Sequence, residues 1–219
     1  MTAFVVLASV TGVSVLALLA AEAWDLRGGG SAARAAIWVA KPTAASAFVA
    51  ASLVNGFPPT GYGRWVVVAL LFSWWGDVLL IPRSQKVFLA GILAFLTAHV
   101  AYAIAFVARG ISLTWVLSAA VPLAALGVLV GRYFVKHAPP GLKKAVVAYI
   151  GVLSAMVALA LGAYGRGGDS LLPIAAVAFY LSDISVALNR FVRPSTLHRA
   201  WGMPLYFGAQ ILFAATVSR

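Results

Sequence analysis

The chain has 219 residues, 63% hydrophobic and 10% charged, with no cysteine and a net charge of +11. A soluble domain carries about a quarter charged residues, so this is the composition of a polytopic membrane protein, with room for one domain over 1–219. Disulfides, thiolate metal sites and cysteine nucleophiles are excluded. The basic excess falls in short links between apolar segments, the pattern that orients a membrane protein, and no nucleic-acid partner is implied.

The first apolar stretch, 2–21, runs into ALLAAEA, which resembles a signal cleavage site. No basic residue precedes it, however, and it is long enough to span. Seven more stretches follow at 35–54, 65–81, 87–108, 111–130, 145–163, 171–188 and 201–217, each close to the roughly 17–25 residues that cross a bilayer. They must be helical, because backbone groups in lipid are satisfied only within their own segment. The expected fold is all-α, a bundle of eight transmembrane helices in the bilayer, as in a multi-pass protein of a bacterial inner membrane.

Links one, three, five and seven carry eleven basic residues: Arg27, Arg34, Arg83, Lys86, Arg132, Lys136, Lys143, Lys144, Arg190, Arg193 and Arg199. The other side carries only Arg64, Arg109, Arg166 and Arg219. The odd links are therefore expected in the cytoplasm and both termini outside.

Only five residues are acidic, and two of them, Asp77 and Asp183, lie inside apolar spans. Each is about 6 Å from the cytoplasmic end of its helix at 1.5 Å per residue. Lys41, His99, Tyr102, Tyr206 and Gln210 fall in the same half of the membrane or near its midplane. Ionisable groups at such depth face a bundle interior or a water-filled cavity. Plainer readings exist for each: Asp77 pairing with Arg83, Asp183 pairing with Arg190, Lys41 snorkelling to the interface, His99 packed and hydrogen-bonded. Trp24, Trp38 and Trp65 read as interfacial anchors, and Pro122 as a kink. Asp77 and Asp183 are 106 residues and four helices apart, the spacing of a parallel repeat about an axis along the membrane normal. Little else aligns at that offset.

The stretches KPTAASAFVAASL (41–53), LLFSWWGDVLL (70–80), FLAGILAFLTAHVAY (88–102), FYLSDISVALNRF (179–191) and PLYFGAQILFA (204–214) resemble the signature blocks of the lysoplasmalogenase (YhhN-like) membrane family. The resemblance implies eight membrane helices and hydrolysis of the vinyl ether of lysoplasmalogens, with a lysophospholipid or plasmalogen-type lipid as partner. It implies Asp77 and Asp183 as the catalytic pair, with Lys41, His99, Tyr206 and Gln210 lining the same cleft. Tyr102, Asn189 and Arg190 complete the expected substrate-binding set, with no metal and no cofactor. After KP, the small residues TAASA stand where bulkier aliphatics are expected, which bears on the shape of the tail pocket.

A vinyl ether is stable to base and labile to acid. Its slow step is protonation of the carbon beta to oxygen; water captures the oxocarbenium ion, and the hemiacetal collapses to aldehyde and alcohol. The catalyst needs one carboxyl that keeps its proton near neutral pH and a second that orients water. Two aspartates in a low-dielectric site can divide those roles as a glycosidase pair does. Lys41 or the loop arginines are the groups that would hold the phosphate. A proton-coupled transporter also needs carboxylates within the membrane, and product formation in detergent separates it. A zinc hydrolase is a third reading, which three histidines without paired spacing do little to support.

Overall fold

The apolar stretches all form helices in the computed structural model, which describes residues 2–54, 56–82 and 84–218. Asn55 of the second link, and Arg83 and Arg219 of the charge count, lie outside the described residues. The helices are α1 (Thr2–Leu26), α2 (Gly30–Leu53), α3 (Gly61–Leu79), α4 (Gln85–Arg109), α5 (Leu113–His137), α6 (Lys143–Gly167), α7 (Leu171–Ala187) and α8 (Thr196–Thr216). A short 3-10 turn, Pro140–Leu142, precedes α6, and a π-helical turn, Leu188–Val192, follows α7. By length and composition six can cross a bilayer: α1, α2, α4, α5, α6 and α7, the last two counted with these turns. The helices α3 and α8 are diluted by Arg64 and Asp77, and by His198, Arg199 and Gln210, respectively.

Several helices run past the apolar boundaries. The α5 helix continues to His137 rather than ending near 130, because nothing in GRYFVKH breaks a helix. Termination waits for Ala138, which is extended at ψ 144, as a residue ahead of proline must be. Elsewhere local chemistry sets the ends. Thr60 accepts from the Gly63 amide at 3.0 Å to start α3. The Asp169 carboxylate accepts from the Leu171 amide at 3.1 Å at the start of α7. Gly168, at φ 73, closes α6 in the left-handed conformation that glycine tolerates.

Successive helices pair as hairpins, α1 with α2, α3 with α4, α5 with α6 and α7 with α8. The hairpins lock through further contacts of α2 with α3 and α8, and of α6 with α4 and α7. The buried centre is aromatic, built on Phe48, Phe95, Phe106, Phe179, Phe207 and Phe213. Small residues let the helices approach. Ala44, Ala45 and Ala47 of the TAASA run are buried, and the Ala44 carbonyl accepts from Thr11 of α1 at 3.4 Å. None of residues 43–47 lines the large cavity described below, so this run serves helix packing rather than the shape of a tail pocket. A Cβ at Gly202 of α8 would collide with Ser185 of α7. One at Gly76 would lie 2.6 Å from the Phe95 ring, which explains why a glycine precedes Asp77.

Gly76→Ala should therefore destabilise the protein by about 1–3 kcal/mol through overpacking, seen as a lower Tm in detergent. Adding Phe95→Leu should recover part of the loss. An unchanged Tm in Gly76→Ala would contradict the close α3–α4 approach.

Candidate active site

Asp77 is 1% exposed. Its Oδ1 lies 3.2 Å from Lys41 Nζ of α2, and its Oδ2 accepts from the Tyr206 hydroxyl of α8 at 2.6 Å. Asp183 is held from two other helices. Its Oδ2 accepts from the Tyr149 hydroxyl of α6 at 2.9 Å and lies 3.3 Å from His99 Nε2 of α4. His99 is fully buried, with Nδ1 2.6 Å from the Phe95 carbonyl. The plainer pairing of Asp183 with Arg190 does not describe this group, and that of Asp77 with Arg83 falls outside the described residues. Arg190 stacks on the Phe88 ring at 4.1 Å instead of reaching Asp183.

Both carboxyl groups line one cavity of about 700 Å³, within the range of lipid- and drug-sized sites. Lys41, Tyr149, Tyr180 and Tyr206 share its inner part, and Glu22, Asp25, Arg34 and Arg199 come from the helix ends on one side. Glu22 and Arg199 form an ion pair that ties α1 to α8. Much of the remaining wall is apolar, including Leu89 and Ile92 of α4 and Val130 and Phe134 of α5. Among the described residues no three metal-capable side chains cluster.

Of the residues expected from sequence, Lys41, Asp77, Asp183, Tyr206, Asn189 and Arg190 line this cavity. Asn189 also closes the α7–α8 turn, donating to the Ser185 carbonyl at 3.1 Å and accepting from the Ser195 amide at 2.9 Å. His99 stands behind Asp183 rather than in the lining. Tyr102 and Gln210 are fully buried away from the cavity wall, joined by a 2.6 Å hydrogen bond, because Tyr102 stacks on Phe213 of the aromatic centre at 4.1 Å.

Sequence reasoning missed Tyr149, Tyr180, Glu22 and Asp25, whereas Arg34 and Arg199 were among the loop arginines expected to hold the phosphate. Tyr149 is five residues past Lys144, about 7.5 Å into its helix, so the depth argument that found the aspartates would have found it. Tyrosine simply passes as apolar in a hydrophobic run. Tyr180 is three residues before Asp183, 3% exposed, and its hydroxyl has no hydrogen-bond partner among the described residues.

Fold and site together define an all-helical integral membrane protein whose helices enclose a cavity bearing two partnered carboxyl groups. The chain belongs to the YhhN family, whose profile matches residues 36–217. Lysoplasmalogenase TMEM86B of Sus scrofa is 34% identical over 162 residues, 73% of this chain and 66% of that protein. Lysoplasmalogenase TMEM86A of Homo sapiens is 35% identical over 153 residues, and that of Bos taurus 31% over 155, each 68% of this chain and 63% of the relative. The chain thus spans under two thirds of the length of the curated relatives it matches. No solved structure matches it.

The hydrogen-bond pattern separates two tyrosines. Tyr206→Phe removes a donor from buried Asp77 and should cost about 1–3 kcal/mol, whereas Tyr180→Phe deletes an unsatisfied hydroxyl and should be neutral or stabilising. Thermal unfolding in detergent reads the contrast; equal losses would contradict it.

Proposed function

We propose that this protein is a membrane hydrolase that cleaves the vinyl ether of lysoplasmalogens, releasing a fatty aldehyde and a glycerophospho-alcohol, with Asp77 and Asp183 as its acid/base pair. One observation carries this reading: two carboxyl groups from separate helices, each bound by hydrogen-bonding partners, line one apolar-walled cavity. The names of the relatives supply the substrate class. Protonation of the alkenyl carbon by one carboxyl gives the oxocarbenium ion, which the other carboxylate stabilises while it orients water. Placement beside the catalytic groups, away from bulk water, supplies the effective concentration that an acid-labile ether needs at neutral pH. The alkyl chain would lie against the α4–α5 wall.

The one-domain, eight-span bundle belongs to the same proposal, with odd links in the cytoplasm and both termini outside. Since the chain has no native cysteine, a cysteine at Ser218 should react with an impermeant reagent on intact cells. One at Ala138 should not, and the reverse pattern would overturn the orientation.

Lys41 contacts Asp77 directly, so its part is to position and balance that carboxylate. The phosphate falls to rim cations such as Arg34, seven residues along α2, about 10 Å away. Arg34→Met should therefore raise KM with little change in kcat, and Lys41→Met should lower kcat. The opposite assignment would make Lys41 the phosphate anchor.

The deciding experiment is purified protein in detergent with a lysoplasmalogen, assayed for aldehyde beside an ester lysophospholipid, which should be a poor substrate. A transporter makes no product there. In deuterated water the promptly trapped aldehyde should carry one deuterium at its alpha carbon, with a normal solvent isotope effect on the rate. Asp77→Asn and Asp183→Asn should each lower kcat by at least roughly 10²–10⁴-fold in folded protein, and a chelator should change nothing. Aldehyde without deuterium would rule out carbon protonation.

A further inference from the structure

We propose that His99 and Asp183 hold one proton between them, which makes Asp183 the acid that protonates the substrate carbon and leaves Asp77 as the base. The assignment follows from donor and acceptor roles. A carbonyl oxygen only accepts, so the 2.6 Å contact of His99 Nδ1 with the Phe95 carbonyl fixes the hydrogen on Nδ1. In the neutral ring Nε2 is then a bare lone pair. That lone pair is fully buried, makes no hydrogen bond among the described residues as it stands, and lies 3.3 Å from Asp183 Oδ2. A lone pair facing an ionised carboxylate at that distance is repulsive, while a proton on either atom makes the contact attractive. Tyr149 donates to the same Oδ2 and cannot supply the missing proton to Nε2.

Asp77 is bound differently. Lys41 and Tyr206, one on each oxygen, both bring hydrogens to it, so no extra proton is needed to satisfy its contacts. The two carboxyl groups are thus set apart by their partners: one requires a shared proton and the other does not. Among the described residues, the titratable groups around the His99–Asp183 pair are Tyr149 from α6, Tyr180 three residues before Asp183 on α7 and in the same cavity lining, and Tyr206 from α8 beyond the Phe179 ring. Asp77 of α3 and Lys41 of α2 share the cavity.

This rests on the vinyl ether reading for its substrate, and the protons balance over the cycle. The shared proton passes to the alkenyl beta carbon as the C=C electrons form the new C–H bond. A lone pair of the ether oxygen forms the C=O⁺ bond of the oxocarbenium ion. Water adds to that carbon and gives a proton to Asp77. When the hemiacetal collapses, Asp77 returns its proton to the departing glycerol oxygen. The hemiacetal hydroxyl proton reloads the His99–Asp183 pair.

The test begins with the protein alone. In a His137→Gln/His198→Gln background, selective ¹⁵N labelling leaves His99 as the only histidine, and its two nitrogens report the tautomer. Infrared spectra compared with Asp183→Asn report whether Asp183 is a carboxylic acid. An imidazolium ring, or a ring protonated at Nδ1 beside a carboxylic acid at Asp183, is the expected result at neutral pH. A neutral ring beside an ionised Asp183 overturns the proposal even if the hydrolase reading stands. With lysoplasmalogen, His99→Gln keeps a hydrogen-bonding group that cannot store a proton. Its kcat should fall about 10- to 100-fold at neutral pH, short of the full 10²–10⁴-fold effect of a lost general acid. KM should hold, and the alkaline limb of the pH profile should move to lower pH. A uniform loss at every pH would mean that His99 only packs. If wild-type protein makes no aldehyde while the spectra show the shared proton, the substrate assignment fails and the pair survives.

Discussion

A carboxylate withdrawn from water costs several kcal/mol unless partners replace its hydration, and most of this molecule is arranged around meeting that requirement twice. No helix can do so alone, because the partners must approach from the side. Asp77 of α3 takes Lys41 from α2 and Tyr206 from α8. Asp183 of α7 takes Tyr149 from α6 and His99 from α4. Six helices are thereby tied by their most expensive groups. The remaining two, α1 and α5, expose most of their surface and contribute only rim and wall to the cavity. Phe95 and Phe179, edge to face at 6.3 Å, fill the space between the two sites and pack on Tyr206 as well.

The two sites are also related along the chain. The aspartates are 106 residues apart, Lys41 and Tyr149 are 108, and His99 and Tyr206 are 107; Tyr102 and its partner Gln210 are again 108. Each aspartate is thus held by the preceding helix of its own four-helix half and by the last helix of the other half. The contacts follow the same order, α2 meeting α8 as α6 meets α4. That is the exchange expected of a parallel repeat about an axis along the membrane normal. The first helices of the halves break the relation: α1 packs on α8 as well as α2, while α5 packs on α6 and the turn after α7. The cavity reaches into the space between α4 and α5.

What was legible in the sequence follows from this physics. Asp77, Asp183 and Lys41 stand out because charge is conspicuous in an apolar run, and Tyr206 because its neighbours carry a family resemblance. Tyr149 and Tyr180 were hidden by the opposite effect, since a phenol ring reads as hydrophobic filling. Depth, and for Gln210 the family resemblance as well, brought Tyr102 and Gln210 towards the cleft, although depth fixes only the level along a helix. Their direction depends on which face packs against Phe213 and the aromatic centre. Of the echo between the halves only the aspartates were legible, because His99 and Tyr206, or Lys41 and Tyr149, share position and role but not residue type.

That difference in residue type is where the symmetry becomes useful. Two carboxyl groups in equivalent sites would titrate alike, and an acid-catalysed hydrolysis needs them to behave differently at one pH. Here the repeat supplies two carboxyl positions on one cavity, and substitution of the partners separates them. Lysine at position 41 gives Asp77 an amine partner, whereas Tyr149, at the corresponding position of the second half, gives Asp183 a hydroxyl. Tyr206 brings Asp77 another hydroxyl donor, whereas His99 brings Asp183 a group able to accept a proton and return it. Because the two sites differ in their clamping side chains, corresponding helix positions carry different chemistry. On the proposed mechanism, that asymmetry allows one half to release a proton to the substrate and the other to collect one from water.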